Sequence, residues 1–382
     1  MPHRRYLLAI LLLSLAWGCA PASVPTPSAV ATTAAPTGAA VTATSPVAGE
    51  AAAGTGAASP AGSLAALAPP MTVRVGVLGL AGDAGIFIGL ERGYFQAEGI
   101  NLDVTVLSAG PDTIPLLAAG NLDVGGATPD ASLLNAISRD VPIKIVADKG
   151  RYLSDHPTSA AFLVRKDLVD SGAIQAVPDL QGRRVGSNAP QSSTAIDIFR
   201  LMEQGGLSER DVELVSMPYP DMVPALANRS LDAALEAEPF VAVAVEQGIG
   251  VRWRGGEEIY PNHQIAVVLY GPRFWRQAEV ARRWMVGYLR GVRDYNDAFF
   301  KDQRRAEVVA ILTRHTALKD PAVYNRIGPP GINPNGRVEV ASIAYDQDWF
   351  LARGALSRPQ DLASVIDHEY VEYALQRLGE YR

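Results

Sequence analysis

From residue 73 onward, apolar and polar positions switch repeatedly between the two-residue period of a strand and the three-to-four-residue period of a helix. Val73-Arg74-Val75-Gly76-Val77-Leu78 reads as a strand that breaks into a glycine-rich loop over 79–85. A helix over 86–97 follows, with Gly99 where a helix stop needs a left-handed residue. Strand 102–107, helix 113–119, strand 122–126 and helix 131–138 continue the series, and strands over 143–148 and 160–165 close a first lobe. The polar stretch 166–180 reads as a crossing. A second series has strands over 183–187, 212–216, 231–235 and 251–254, with helices over 192–204, 221–228 and 238–247 between them. An apolar strand over 264–270 returns the chain to the first lobe, and helices over 276–300, 303–315, 338–351 and 361–378 complete it.

Strands alternating with helices at this spacing predict parallel α/β sheets, which bind ligands beyond the carboxyl ends of their strands. A short internal repeat supports two similar lobes. Leu117-Ala118-Ala119-Gly120-Asn121-Leu122-Asp123-Val124 parallels Leu226-Ala227-Asn228-Arg229-Ser230-Leu231-Asp232-Ala233, each followed by a proline, Pro129 and Pro239. Asp123 and Asp232 are expected to be structural, at strand starts.

The first 70 residues have a different composition. Arg4 and Arg5 precede an apolar run over 6–17 that is shorter than the ~20 residues a spanning helix needs, so 1–18 reads as a signal peptide. Cys19 is the single cysteine of the 382 residues, and its place behind the apolar run suits lipidation of a mature N-terminus. Ala16 and Trp17 stand where lipoprotein signals usually carry leucine and a small residue. Residues 20–70 are rich in Ala, Pro, Thr, Ser and Gly, with Glu50 the lone charge, and cannot bury enough apolar surface to order themselves. They read as a tether spanning on the order of 40 Å. The expected organisation is therefore 1–18 signal, 19–70 lipid-anchored linker, 71–165 first lobe, 166–263 second lobe and 264–382 again first lobe.

The run from Gly85 to Asp130, with Gly93-Tyr94-Phe95-Gln96-Ala97-Glu98-Gly99 inside it, resembles the start of the periplasmic solute-binding proteins for thiamine pyrimidine precursors, riboflavin, sulfonates, taurine and nitrate. Ser230-Leu231-Asp232-Ala233-Ala234-Leu235-Glu236-Ala237-Glu238-Pro239 is similar to a later motif of that family, with Ser230 where glycine is usual. The resemblance covers roughly 72–275. It implies a two-lobed α/β periplasmic binding protein of type II, with a ligand cleft between the lobes. It also implies delivery to an ABC permease and ATPase and a place on the extracytoplasmic face of the cell membrane.

Candidate ligand contacts are Asp83, Thr128 and Asp130 in the first lobe, and Gln191, Ser192, Ser193, Thr194 and Glu238 in the second. Hydroxyls and free amides at a helix start can hold an anion or a neutral polar ligand, or they can simply cap the helix. Asp83, Asp130 and Glu238 together would repel compact anions and suit the N–H, amino or hydroxyl donors of a heteroaromatic ring. Riboflavin is the first expectation and a thiamine pyrimidine precursor the second. Binding of sulfonate, taurine or nitrate is the alternative within the family. A pyrimidine-synthase or dehydratase-like enzyme on the same fold, and an anchored sensor or structural lipoprotein, are alternatives from other classes. Phe87, Tyr94, Tyr219, Phe240 and Trp253 are aromatics available for stacking or for the core. The five histidines lack metal-site spacing, so no metal and no cofactor are expected. A formal net charge of −6 offers no basic footprint for nucleic acid.

Overall fold

The computed structural model describes residues 65–107, 112–189 and 191–382. The expected signal segment, Cys19 and the linker up to residue 64 lie outside them. Residues 65–70, expected to be tether, instead lie against the first lobe: Leu67 packs on its core and donates its N–H to the Glu98 carbonyl, and Arg283 donates to the Ala65 carbonyl.

Ten strands among the described residues form two five-stranded sheets. They are β1 (Met71–Val77), β2 (Ile100–Val106), β3 (Val124–Ala127), β4 (Lys144–Arg151), β5 (Ala160–Arg165), β6 (Arg184–Ser187), β7 (Glu213–Ser216), β8 (Ala233–Ala237), β9 (Gly250–Gly255) and β10 (Gln264–Tyr270). The sheet orders are β2-β1-β3-β10-β4 and β7-β6-β8-β5-β9. These are the same pattern twice, with three parallel strands followed by an antiparallel strand and a last strand parallel to the first three. In each sheet the antiparallel strand is the one that has just arrived from the other lobe. The carboxyl ends of β1, β3 and β4 and the start of β10 therefore lie at the crossing end of one sheet, as do those of β6, β8, β9 and the start of β5 in the other.

The repeat seen in sequence marks this symmetry. Asp123 accepts the Arg74 backbone N–H at 2.9 Å and Asp232 accepts that of Arg184 at 3.0 Å, so each carboxylate ties the third parallel strand of its sheet to the first.

Two boundaries differ from the sequence expectation. Ala160–Arg165 pairs with β8 and β9, so the first crossing is 152–159 and not 166–180. An apolar six-residue strand looks the same in either sheet, and only pairing assigns it. The C-terminal part is not wholly first-lobe either, because Trp349 and Phe350 of the helix Val340–Ala352 enter the second-lobe core beside Phe199. Ile343 of the same helix packs with Ile145, Val267 and Leu269 of the first lobe, so the helix Val340–Ala352 spans both lobes.

The expected helix 86–97 is two helices, Ala84–Glu91 and Tyr94–Ala97, broken where Gly93 takes φ +68°. The first lies on the long helix Ala278–Phe300 through glycines spaced four apart on both, Gly85 and Gly89 against Gly287 and Gly291. A Cβ at Gly291 would sit 2.1 Å from the Gly85 carbonyl oxygen, a backbone atom that cannot yield without the helices separating. Gly291→Ala is expected to destabilise the fold by about 1–3 kcal/mol, as overpacking of cores does, read from the denaturant midpoint.

Candidate functional site

At the first sheet, Asp83 follows β1 on a 3-10 turn and is fully buried. One carboxylate oxygen accepts the N–H groups of Leu78 and Leu80 at 3.0 and 3.1 Å, and the other meets Lys149 Nζ at 2.7 Å. The expectation that Asp83 offers a free acceptor is thereby corrected. Its signature in sequence, an aspartate in a glycine-rich loop, gave no sign of the lysine 66 positions on that neutralises it. Thr128 is half-buried in the loop after β3. Asp130 caps the helix Ala131–Ser138, accepting from Ser132 and Leu133 N–H at 2.9 and 3.2 Å. Burial pushes its carboxyl up, against the pull of those two N–H donors.

At the second sheet, Gln191 is exposed, and Ser192 directs its hydroxyl to Asn188 Oδ1 and the Ala189 carbonyl, not to the helix that follows. Ser193 is half-buried at the start of the helix Ser193–Gln204. Thr194 is buried and shares a 2.9 Å hydrogen bond with the Tyr219 hydroxyl. Glu238, just beyond β8, accepts the Ala242 N–H at 3.1 Å and the Gly328 N–H at 3.2 Å, the second contact reaching a first-lobe loop. Burial raises its carboxyl, and Arg252 opposes that rise. Phe87 and Tyr94 are structural: Phe87 stacks on His315 in the core, and Tyr94 donates to Asp294 Oδ2 at 2.5 Å.

Sequence reasoning missed Glu236, on β8 and wholly buried. Its Oε2 accepts the Ala237 N–H at 3.2 Å and its Oε1 has no hydrogen-bond partner among the described residues. The signal was present, a lone charge within Ala233-Ala234-Leu235-Glu236-Ala237.

It also missed the network where the crossings meet. His263, at the end of the second crossing, is fully buried with Nδ1 at 2.7 Å from Asp197 Oδ1 and Nε2 at 3.0 Å from Asp346 Oδ2. Asp197 lies on Ser193–Gln204 one turn after Thr194, and Asp346 on Val340–Ala352. Tyr152, at the start of the first crossing, donates to Asp197 Oδ2 at 2.8 Å, and Tyr260 donates to Asp346 Oδ1 at 3.3 Å while stacking on the His263 ring. Arg200 lies over the Tyr260 ring, 3.9 Å from its centroid. Burial pulls the His263 pKa down, but the charges and hydrogen bonds of the two aspartates outweigh it and hold the ring up at about 10. Both nitrogens then donate.

The family model described as the NMT1-like family matches residues 66–313. A protein of Brucella abortus (strain 2308), named provisionally as a binding protein, is 27% identical over 200 residues, 52% of this chain and 58% of its own length. The chain thus spans little more than half of that relative. Among solved structures, the alkanesulfonate-binding protein of Xanthomonas axonopodis pv. citri bound to MOPS is 20% identical, with a TM-score of 0.60 over 79% of this chain and 99% of its own. The nitrate-binding protein of Synechocystis PCC 6803 is 15% identical, with a TM-score of 0.62 over 81% and 89%. At such identities the likeness is one of fold, and it is the two-lobed periplasmic binding protein fold.

The His263 pKa lies above its unfolded value near 6.5, so the stabilisation from its protonation is complete below pH 6.5 and lost as pH rises towards 10. Unfolding free energy is expected to fall across that window by up to about 1.4 kcal/mol per pH unit. His263→Gln should be less stable at pH 6 and flatten the slope, as measured by urea unfolding at a series of pH values.

Proposed function

We propose that this chain, which belongs to the NMT1-like family, is the extracytoplasmic solute-binding component of an ABC importer. The observation that carries the reading is the pair of like-ordered sheets whose strand carboxyl ends meet at the crossings. Such an arrangement suits a solute held between loops of both lobes, with a hinge that answers to its presence. A binding role needs no bond-making machinery of its own, and the permease and ATPase are separate partners.

The solute we assign is a neutral, donor-bearing ring of the vitamin type, riboflavin first and a thiamine pyrimidine precursor second. Asp130, Glu236 and Glu238 stand at the crossing ends; of the cations there, Lys149 is matched by Asp83, Arg252 by Glu257 at 2.9 Å, and Arg151 lies 4.0 Å from Asp148 with its Nε otherwise unpartnered among the described residues. Acceptors in excess of free cations favour a ligand that brings donors. The names of the structural neighbours supply the competing solutes, a sulfonate or nitrate.

The purified full chain is expected to carry, or to bind on titration, riboflavin or an aminopyrimidine, and Glu238→Ala should weaken that binding. Mass spectrometry of solute released on denaturation checks it. Release of an alkanesulfonate, or calorimetric binding of nitrate or taurine with no response to flavin or pyrimidine, makes the anion reading correct. Turnover of any bound compound would favour the enzyme alternative.

Anchoring by Cys19 is part of the same proposal and rests on sequence. Cys19→Ser should release the protein from the membrane fraction and abolish incorporation of labelled fatty acid. A variant that stays membrane-bound, beside a wild type that takes up no label, sinks lipidation.

A further inference from the structure

We propose that Glu236 selects the solute, its carboxyl group pairing with the edge of a flat nitrogen ring that offers an N–H donor beside an acceptor atom. The inference rests on the binding-protein reading and names the residue and the ligand edge within it.

Glu236 lies near the carboxyl end of β8, which runs between β6 and β5 in the middle of the second sheet. By strand alternation its side chain shares the face of Ala234, covered by the helices Tyr219–Ala227 and Phe240–Glu246. Nothing nearby serves its free oxygen. The Thr194 and Tyr219 hydroxyls share one hydrogen bond and the proton left over makes none to this oxygen, and the Arg252 guanidinium is held by Glu257. A buried oxygen without a partner destabilises the fold, and such a group in a parallel α/β sheet's ligand-binding region marks a function.

Burial, with a smaller push from the Glu238 charge, raises the Glu236 carboxyl to about 8. Near neutral pH in the empty protein it is therefore mostly an acid, with one O–H to donate and one oxygen to accept. An aminopyrimidine edge or an imide edge presents the complementary pair. A sulfonate or nitrate brings acceptors alone and leaves the accepting oxygen unmet.

The test uses the full-length protein, calorimetry with riboflavin and with 4-aminopyrimidine, and methanesulfonate and nitrate as controls. Glu236→Gln keeps a donor beside an acceptor and should retain affinity within about threefold. Glu236→Leu has neither and should lose about ten- to a hundredfold, while its thermal midpoint rises because an unmet buried group is gone. Wild-type affinity should also fall between pH 7 and 9, and that of the Gln variant should not. The other groups around this position, Glu238 and Tyr219, and behind them Asp197 and the Arg252–Glu257 pair, are common to both proteins and cancel in the comparison. Equal binding of a ring by wild type and Glu236→Leu overturns the inference and leaves the importer reading standing, as does tight binding of methanesulfonate or nitrate that ignores Glu236. A lower thermal midpoint in both variants also overturns it, because Glu236 would then have a structural partner. A wild type that binds none of the four overturns the inference together with the binding reading.

Discussion

A buried positive charge held between two carboxylates is the constraint on which the junction of the lobes depends. With both ring nitrogens protonated His263 donates to Asp197 and Asp346 at once, and each aspartate is further held by a tyrosine hydroxyl. Arg200 lies over the Tyr260 ring on the edge of this network, 3.9 Å from the ring centroid. Removing a single member would leave an uncompensated charge where water cannot reach, which is why such networks resist piecemeal change. Four separate stretches of chain are pinned together: the first crossing by Tyr152, the second by Tyr260 and His263, the second-lobe helix by Asp197, and the spanning helix by Asp346. The Asp197 helix also carries Thr194, so the same pin positions one wall of the proposed site.

The first-lobe side of the junction is held by neutral and charge-assisted hydrogen bonds. Asp148 accepts from Gly150, Gln264 and Asn333, and Gln264 in turn accepts the Glu339 N–H, so β4, β10 and the segment after residue 328 share one buried carboxylate. Lys149, next along β4, crosses Gly126 to reach Asp83. A Cβ at Gly126 would lie 2.5 Å from the lysine Cε, so the absence of a side chain there lets the ion pair form. The Asp83 and Asp148 carboxylates of the first lobe are thereby matched, whereas on the second lobe the buried Glu236 keeps one oxygen with no partner among the described residues.

That asymmetry gives the two lobes different work. The first, with the larger apolar core built on the long helix, has its buried carboxylates Asp83 and Asp148 matched by Lys149, Gln264 and backbone N–H groups. The second keeps a carboxyl whose needs the chain does not meet. A protein that spends stability in this way at a strand end gains the discrimination that a missing partner provides, because a ligand lacking the right edge leaves the group unmet.

Much of the architecture was legible in the sequence because periodicity is local. Strand and helix positions follow from alternation over a few residues, and the Asp123 and Asp232 repeat announced two like sheets before any pairing was known. The glycines at 85, 89, 287 and 291 were likewise on view at helical spacing, although which helices they joined was not. Of the candidate site, the chain order pointed to loops that do lie at the ends of β1, β3, β6 and β8, but not to which acids in them are available. Availability is a matter of partners far away in sequence. Lys149 neutralises Asp83, Gly328 shares Glu238, and Glu236 is left without a donor for one oxygen. The assignment of Ala160–Arg165 to the second sheet and the union of Asp197, His263 and Asp346 have the same cause. Sequence determines what each residue can offer over the length of a helix or strand, and only the tertiary structure decides what it meets, because burial, charge pairing and strand neighbours are set by contacts between positions tens to hundreds of residues apart.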